Sequence, residues 1–374
     1  MTNVSSGSTP FQQSVRKFRS NTLAVLGLLF ILFVSLISAL GPFVRPDQSV
    51  NANGQSLMIS RQKPLFDCEV FLQPLGRSIE KPSIFEAWAQ GGYPSPFREI
   101  PIENYRWEND ALILTLFGSQ EEERFSCSQL LPNSECNEAN RSAFISEHIQ
   151  HKYYWLGTDK YGRDVLSRLM AGASISLMVG VIAVLISLII GIGLGAVAGY
   201  YGGAVDKLIM WFINVIWSIP TLLLVIAITF AFGKGFWKVF IAVGLTMWVE
   251  VARVVRGQFL SLREKEYVEA GKVLGFSSGR IIFRHMLPNA MGPVIVIAAA
   301  NFAAAILIEA GLSFLGIGAQ IPVPSWGNMI KENYNLITTD LAYLAFTPGI
   351  CIMLLVLSFM LVGNGLRDAL DVKG

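Results

Sequence analysis

Residues 266–289 read EYVEAGKVLGFSSGRIIFRHMLPN, a polar segment that leads into a long apolar run. Apolar and small residues in its first part recur at helical spacing: Tyr267, Ala270, Gly271 and Leu274. The charged residues of the same part fall on other faces: Glu266, Glu269 and Lys272. This periodicity predicts a short amphipathic helix.

A second short helix is predicted to follow after a turn. Gly275 can end the first helix in the left-handed conformation, and Ser277 or Ser278 can cap the next one. Apolar residues of the second helix then lead to Pro288: Ile281, Ile282 and Met286. So short a helix is poorly stabilised alone and needs a surface that covers its apolar face. Either a partner protein or anionic lipid can supply that surface, because residues 251–289 are rich in Lys and Arg.

The whole chain has the composition of an integral membrane protein. Of its 374 residues, 52% are hydrophobic and only 15% are charged, and the mean hydropathy is +0.49. Water-soluble proteins of this length carry a larger charged fraction. The net charge of +2 is too small and too dispersed for a nucleic-acid surface. Charge-free runs long enough for a transmembrane helix cover residues 21–44, 169–205, 208–233, 286–308 and 341–366.

Basic residues predict how these spans are oriented. The amino-terminal tail carries Arg16, Lys17 and Arg19 without an acid, so the positive-inside rule places it in the cytoplasm, and the same rule places residues 251–289 there. Two cytoplasmic points need an even number of crossings between them. Residues 236–255, although charges interrupt them, therefore supply the fourth crossing. We predict six spans with both termini in the cytoplasm.

Residues 45–155 are predicted to form an extracytoplasmic subdomain between the first two spans. The segment is polar and far longer than an ordinary connection. Alternating apolar residues over 111–117 predict a strand, so the subdomain is α+β or irregular. An oxidising compartment favours one disulfide among Cys68, Cys127 and Cys136, and closeness in sequence favours Cys127 with Cys136.

Glycines and prolines mark helix packing within the spans. Gly191, Gly195 and Gly199 recur every four residues, which indicates a face where another helix approaches closely. Pro220 and Pro293 are expected to kink or end their helices.

Ionisable residues near the spans are candidates for function. Glu309 is predicted toward the outer end of the fifth span, where a structural role is favoured over a role in transport. Glu250 lies near Arg253 and Arg256 in sequence, which favours a local ion pair over a proton relay.

The sequence contains no signature of catalysis or of nucleotide binding. It has no GxxxxGK[ST] phosphate loop, no HExxH helix and no recognisable setting for a catalytic nucleophile. His148 and His151 have no third ligand in register, so no metal is expected. We therefore predict that the chain is not an enzyme and holds no cofactor of its own.

The spacing of residues 269–288 resembles the EAA loop of permease subunits in binding-protein-dependent ATP-binding-cassette (ABC) importers. In that superfamily the loop is the coupling helix, which docks in a groove of the cytoplasmic ATPase. Other strings resemble the C-type subunit of the dipeptide and oligopeptide permease family: LGTDKYGRDVLSRL at 156–169, ARVVRGQFLSLREKEYVEAG at 252–271, EAGLSFLGIGAQIPVPSWGNMI at 309–330 and GNGLRDALD at 363–371. Three departures stand out: Gly271 replaces the usual Ala, Ser174 stands where an Arg is usual, and residues 45–155 are longer than in typical members.

This resemblance implies a site and a set of partners. The residues it assigns to coupling with the ATPase are Glu266, Tyr267, Glu269, Ala270, Gly271, Leu274, Gly275, Phe276, Ile281, Leu287 and Pro288. The implied partners are a second homologous permease subunit, two cytoplasmic ATPases that bind ATP and Mg, an extracytoplasmic solute-binding protein and the lipid bilayer. The implied location is the inner membrane of a bacterium.

The expected fold is all-α and integral to the membrane, with six transmembrane helices of the type I ABC importer permease kind. Its expected parts are a cytoplasmic tail (1–20), a first span (21–44), the extracytoplasmic insertion (45–155) and a permease core (156–374) with the coupling loop at about 251–289. The expected cargo is di- or oligopeptides, with nickel, glutathione or a sugar as alternatives. Two other classes are an ion-coupled secondary transporter and a membrane-anchored receptor; few midplane ionisable residues are visible to support the former.

Overall fold

The computed structural model describes residues 10–76, 82–131, 135–233, 235–320 and 322–370. The chain begins with helices α1 (Pro10–Ser20) and α2 (Thr22–Val44). Asn21 lies between them and caps α2, since its side chain accepts a hydrogen bond from the Ala24 amide at 3.1 Å. The strongly apolar α2 matches the first predicted span and is long enough to cross a membrane.

A small α+β subdomain follows α2. Its elements are β1 (Phe66–Pro74), α3 (Ile84–Gln90), β2 (Phe97–Glu108), β3 (Ala111–Leu116), β4 (Glu122–Ser126), α4 (Cys127–Leu130), α5 (Glu138–His148) and β5 (Ile149–Tyr154). The strands form one antiparallel sheet in the order β4-β3-β2-β1-β5. Strand β3 confirms the prediction made for residues 111–117, and its buried Leu112 and Leu114 pack with Phe71 and Phe144.

The disulfide pairing in the subdomain is the one that closeness in sequence favoured. Cys127 and Cys136 form a disulfide, with Cα atoms 6.1 Å apart. Cys68 is a free thiol, buried beside Val70 and Tyr154. Burial raises the pKa of the Cys68 thiol to about 11, so very little of it is thiolate near neutral pH.

The described residues that follow the subdomain are mainly helical. Its elements are α6 (Val165–Tyr201), α7 (Gly203–Trp217), α8 (Thr221–Phe232), α9 (Phe236–Arg263), α10 (Glu266–Val273), α11 (Ser278–Arg280), α12 (Leu287–Phe314), α13 (Trp326–Asn333) and α14 (Tyr343–Leu370). A π-helical segment, Ile281–Met286, joins α11 to α12 in one helix from Ser278 to Phe314. Within the described ranges, this joined helix, α2, α6 and α14 are long and apolar enough to cross a membrane.

The predicted third span is broken into two helices. α7 and α8 meet at a bend of 91°, and Pro220 stands directly before α8, as its missing amide hydrogen leads one to expect. Counted as one span, this pair brings the candidates among the described residues to five. In contrast, α12 does not end at Pro293 but continues to Phe314.

Helix α9 occupies the position of the predicted fourth crossing and packs closely along α6. At 28 residues this helix is long enough to cross a membrane. Charged residues such as Glu250 exclude it from the helices that are apolar enough by composition. A Cβ atom on Gly195 would lie 2.5 Å from the Ala252 carbonyl oxygen, and one on Gly199 would lie 2.5 Å from the Phe259 Cβ. The glycine-lined face of α6 therefore packs against α9, which confirms the packing interpretation.

Candidate functional site

The candidate site is the segment from α10 to the start of α12. Helix α10 ends as predicted, because Gly275 adopts the left-handed conformation with φ of +74°. The Phe276 amide donates to the Gly271 carbonyl at 3.0 Å, and the Gly275 amide donates to the Lys272 carbonyl at 3.0 Å. These two bonds form a Schellman motif, which satisfies carbonyls that the end of the helix leaves without partners.

Ser277 starts the next helix, as one of the two predicted caps. Its hydroxyl oxygen accepts a hydrogen bond from the Arg280 amide at 3.4 Å. The π-helical turn then widens the helix directly before Pro288, where the Leu287 amide donates to the Ile282 carbonyl five residues earlier. Proline has no amide hydrogen to donate, and a π-helical turn is a common adjustment in such a place. The predicted pair of short helices is thus present, and the second is continuous with α12.

The inner side of α10 is fixed to the helix bundle. Val268 and Gly271 are buried and pack with Ile281, Ile282 and Phe259. Gly271 therefore points inward, although its spacing placed it on the same face as Tyr267. That part of the periodicity prediction is wrong because the turn at Gly275 folds the following residues back onto this side of α10.

The outer face of α10, formed by Tyr267, Ala270, Val273 and Leu274, lies open. Val273 is 88% exposed and Leu274 is 71% exposed, which is unusual for apolar residues on an ordered helix. Sequence reasoning missed Val273, although it follows Ala270 at the helical spacing of three. It also missed Phe283 of the π-helical turn, which is exposed as well.

The residues predicted for coupling thus divide into two groups. Those exposed to solvent are Glu266, Tyr267, Glu269, Ala270, Leu274, Gly275 and Pro288. Those buried or partly buried behind them are Gly271, Phe276, Ile281 and Leu287. The first group forms an exposed surface, and the second packs between that surface and the long helices.

Aromatic and polar contacts hold residues 267–289 in place on the side opposite the exposed face of α10. The Phe276 ring stacks on His285 with ring centroids 5.8 Å apart, and the Arg280 guanidinium lies 4.1 Å from the Phe276 ring centroid. The Tyr200 hydroxyl of α6 donates to Ser278 Oγ at 3.3 Å. Asn289 Nδ2 donates to the Tyr267 hydroxyl at 3.4 Å. The Tyr200 bond connects α6 with α11, and the Asn289 bond connects α12 with α10. α10 itself packs on α9 and on the π-helical turn.

The charged residues of α9 do not pair as predicted. The Arg256 guanidinium donates from Nε and from Nη2 to the carboxylate of Asp206 in α7, and the Nη2 bond to Oδ2 is 2.7 Å long. Arg253 donates to Asn214 at 2.7 Å and lies over the Trp217 ring, 3.6 Å from its centroid. Among the described residues Glu250 has no ion pair and is exposed, so the expected local pair is wrong. Both arginines reach across to α7 instead of along α9.

Glu309 lies within α12 and is 1% exposed. The Ser313 hydroxyl, one helical turn further on, donates to Glu309 Oε1 at 2.6 Å. The other carboxylate oxygen, Oε2, is buried without a hydrogen-bond partner among the described residues, so the structural role of Glu309 stays a prediction.

A buried ionic cluster was not recognised from the sequence. Arg163, with an exposed fraction of 0%, donates to Asp159 at 2.6 Å and to Glu332 of α13 at 2.7 Å. Arg168 lies within 3.9 Å of the same two carboxylates. The cluster connects the segment before α6 with α13, and 169 positions separate Arg163 from Glu332. No local pattern could have signalled a pair so far apart in sequence.

Two family profiles match the chain. "Binding-protein-dependent transport system inner membrane component" matches residues 191–373, and "N-terminal TM domain of oligopeptide transport permease C" matches residues 9–64. The dipeptide transport system permease protein DppC of Alkalihalophilus pseudofirmus is 44% identical over 220 residues, which cover 59% of this chain and 72% of that relative. The chain belongs to the dipeptide and oligopeptide permease family.

Other relatives of this permease have related names. The oligopeptide transport system permease protein OppC of Bacillus subtilis is 41% identical over 223 residues, covering 59% of this chain and 72% of the relative. The glutathione transport system permease protein GsiD of Pectobacterium atrosepticum is 40% identical over 220 residues, covering 59% and 73%. The family is one of permease subunits, not of ATPases, and the permease is a multi-pass protein of the inner membrane. Neither profile covers residues 65–190, which include most of the subdomain.

Proposed function

We propose that this chain is the C-type permease subunit of an ATP-driven importer and that it receives peptides from an extracytoplasmic solute-binding protein. A second, homologous permease subunit completes the path through the membrane, and two cytoplasmic ATPases bind ATP and Mg. The observation that carries this proposal is the outer face of α10, where Val273 and Leu274 are exposed on a helix that is braced from behind. Such a face is suited to insertion in a hydrophobic groove of another protein.

The bracing supports a mechanism of coupling. Because α10 packs on α9 and on the π-helical turn that continues into α12, a partner that shifts α10 acts on these two long helices. Closure of the ATPases on ATP would then move the loops of both permease subunits and open the path outward. The energy comes from the different contacts that the ATPases make in the two states.

The proposed topology has six spans, with α9 as the fourth and both termini in the cytoplasm. The basic residues near α10 and at the amino terminus support it through the positive-inside rule. The disulfide between Cys127 and Cys136 supports an extracytoplasmic position for the subdomain, since such bonds persist in oxidising compartments.

Di- or oligopeptides are the proposed cargo, because relatives named for dipeptide and oligopeptide transport match this chain at 41–44% identity. Glutathione, itself a short peptide derivative, is the cargo in the name of another relative. Competition of unlabelled dipeptides, glutathione and nickel against labelled peptide uptake distinguishes these cargoes. Uptake driven by an ion gradient without an ATPase would contradict the proposal.

A matched pair of variants tests the coupling surface. Leu274→Asp and Leu65→Asp each place a carboxylate at a leucine that is 71% exposed, the first on α10 and the second in the subdomain. Burial of a leucine side chain contributes roughly 1.5–3 kcal/mol, so Leu274→Asp should reduce the ATPase retained on the affinity-tagged permease by about tenfold or more. ATP-dependent uptake should fall with it.

Leu65→Asp should retain the ATPase at the level of the wild type. Glu269→Lys, a charge reversal beside the same surface, should also abolish uptake while membrane insertion stays intact. If the Leu274→Asp complex keeps its ATPase and its uptake, the assignment of the surface is wrong.

A further inference from the structure

Helix α3 of the subdomain has three distinct sides. Ala87 is buried, and it is the side by which α3 packs on the chain. Ile84, Phe85 and Trp88 are exposed, at 73%, 75% and 48%, and at 100° per residue they fall on one arc. Glu86 and Gln90 occupy the remaining arc. An apolar arc that is separate from the buried side needs a second environment to cover it.

This helix is well formed in spite of its length. Ser83 and Glu86 make a capping box, in which Glu86 Oε2 accepts the Ser83 amide at 2.8 Å. Gly91 ends the helix in the left-handed conformation with φ of +71°. The Phe85 and Trp88 rings stack with centroids 6.2 Å apart. The apolar arc is therefore presented in one fixed orientation.

The end of α3 is attached to the point where α2 ends. Arg45, the first residue after α2, is 2% exposed and donates from Nη2 to the Gly91 carbonyl at 2.6 Å. The Tyr93 amide donates to the Gln48 carbonyl at 2.8 Å, and the Tyr93 ring contacts Phe43 of α2 with centroids 6.2 Å apart. α3 consequently lies at the level at which the first span leaves the hydrocarbon region.

The last turns of α2 expose apolar side chains as well: Leu36, Leu40 and Val44. In a spanning helix, exposed apolar residues near the end face lipid, and α3 is attached at that end of α2 through the Arg45 and Tyr93 contacts. Tryptophan is enriched at the membrane–water interface because its ring is largely apolar but carries one polar N–H group.

We propose that α3 lies in the interfacial region of the bilayer, with Ile84, Phe85 and Trp88 inserted at the boundary between headgroups and acyl chains. Glu86 and Gln90 then face water. A docking protein is the less favoured occupant, because the arc carries no charge and α3 is attached at the end of a spanning helix. The contact gives the subdomain a third attachment to the membrane, besides the spans on either side of it.

Single-cysteine labelling in vesicles tests this placement. The permease, with Cys351→Ala to remove the other accessible thiol, is reconstituted with its partner subunits in phosphatidylethanolamine and phosphatidylglycerol vesicles. Cys68 is buried and the remaining two cysteines form a disulfide, so an environment-sensitive fluorophore labels only the introduced thiol. Phe85→Cys is compared with its neighbour Glu86→Cys as the matched control.

We expect nitroxides on the upper acyl chain of the lipid to quench the label at position 85 at least about threefold more than the label at position 86. Aqueous iodide should show the reverse order. Equal access of iodide to both labels overturns the proposal, and so does shielding of position 85 that appears only when loaded solute-binding protein is added. On the unmodified permease, a phospholipid with a photoreactive group near its headgroup should crosslink within residues 84–88; absence of such crosslinks is also decisive against it.

Discussion

Replacement of Gly271 by alanine should stabilise α10, the helix of the proposed coupling surface. Gly271 lies in the last turn of α10, and a Cβ atom there would meet Phe276 Cδ2 at 3.5 Å and Ile281 Cγ1 at 3.8 Å, which are ordinary contacts. Alanine is favoured over glycine in a helix by roughly 0.8–1 kcal/mol, and burial of a methyl group adds about 0.8 kcal/mol. Gly271→Ala should therefore stabilise α10 by roughly 1–2 kcal/mol.

Gly275, four residues later, gives the matched control with the opposite sign. A Cβ atom would meet nothing within 4 Å, but φ is +74°, a conformation that alanine adopts at a cost of roughly 1–2 kcal/mol. The same substitution, in the same segment, should therefore destabilise the end of α10. Steric space is available at both positions, so the backbone conformation decides the sign at Gly275, while buried contacts add to the gain at Gly271.

Hydrogen–deuterium exchange of amides in residues 266–276 measures both effects. A local stabilisation of about 1 kcal/mol slows exchange roughly fivefold when exchange occurs through local opening. Compared with the wild type, we expect exchange to be slower by a factor of roughly five or more in Gly271→Ala. In Gly275→Ala we expect it to be faster by a similar factor. Unchanged or faster exchange in Gly271→Ala would refute the helical packing described for this residue.

Three further predictions concern the rest of the permease. Arg163→Met leaves the carboxylates of Asp159 and Glu332 buried without their partner, so the thermal midpoint in detergent should fall by the equivalent of roughly 3–5 kcal/mol. Gly195→Ala places a methyl group 2.5 Å from a backbone oxygen of α9, which should cost roughly 1–3 kcal/mol in the same assay. The raised pKa of Cys68, about 11, lowers its thiolate fraction, so at pH 8 iodoacetamide should alkylate it about 100-fold more slowly than an ordinary cysteine.

Each of these has its own control. Replacing Asp159 by Asn and Glu332 by Gln together with Arg163→Met should recover part of the lost stability, and a triple variant as unstable as the single one argues against the ionic account. For Gly195, the control is Gly193→Ala, where a Cβ atom meets nothing within 4 Å. For Cys68, the control is the unfolded chain, where its thiol should react at the ordinary rate; equally rapid alkylation of Cys68 in the folded chain would contradict its burial.

Local patterns in the sequence predicted local structure well. Gly275 and Ser277 bend and cap the chain as their chemistry requires, and the strand over residues 111–117 follows from alternation alone. Long-range structure was not accessible in this way. The bond between Arg163 and Glu332, the order of strands in the sheet and the 91° bend between α7 and α8 depend on contacts between distant residues.

Within the candidate site, periodicity located the helix but not its inner and outer sides. Gly271 and Leu274 share a face by spacing, yet the first is buried and the second exposed. Phe276 and Ile281 fold back onto α10, and they decide which of its sides is buried. A helical wheel of α10 does not include these later residues. The sequence analysis missed the exposed Val273 for the same reason, because the outer side of α10 was not known.

The π-helical turn of Ile281–Met286 also affects which changes of length the chain can absorb. Such a turn contains one residue more than an α-helical turn needs, so deletion of a single residue there can convert it to regular α-helix. The segment before the turn and the rest of α12 would keep their relative rotation. A deletion in the middle of α12 would instead turn everything beyond it by about 100°, so Glu309 and Ser313 would rotate together away from their present neighbours. The permease thus has, inside a continuous helix, a place where loss of one residue preserves the relative rotation of the two sides.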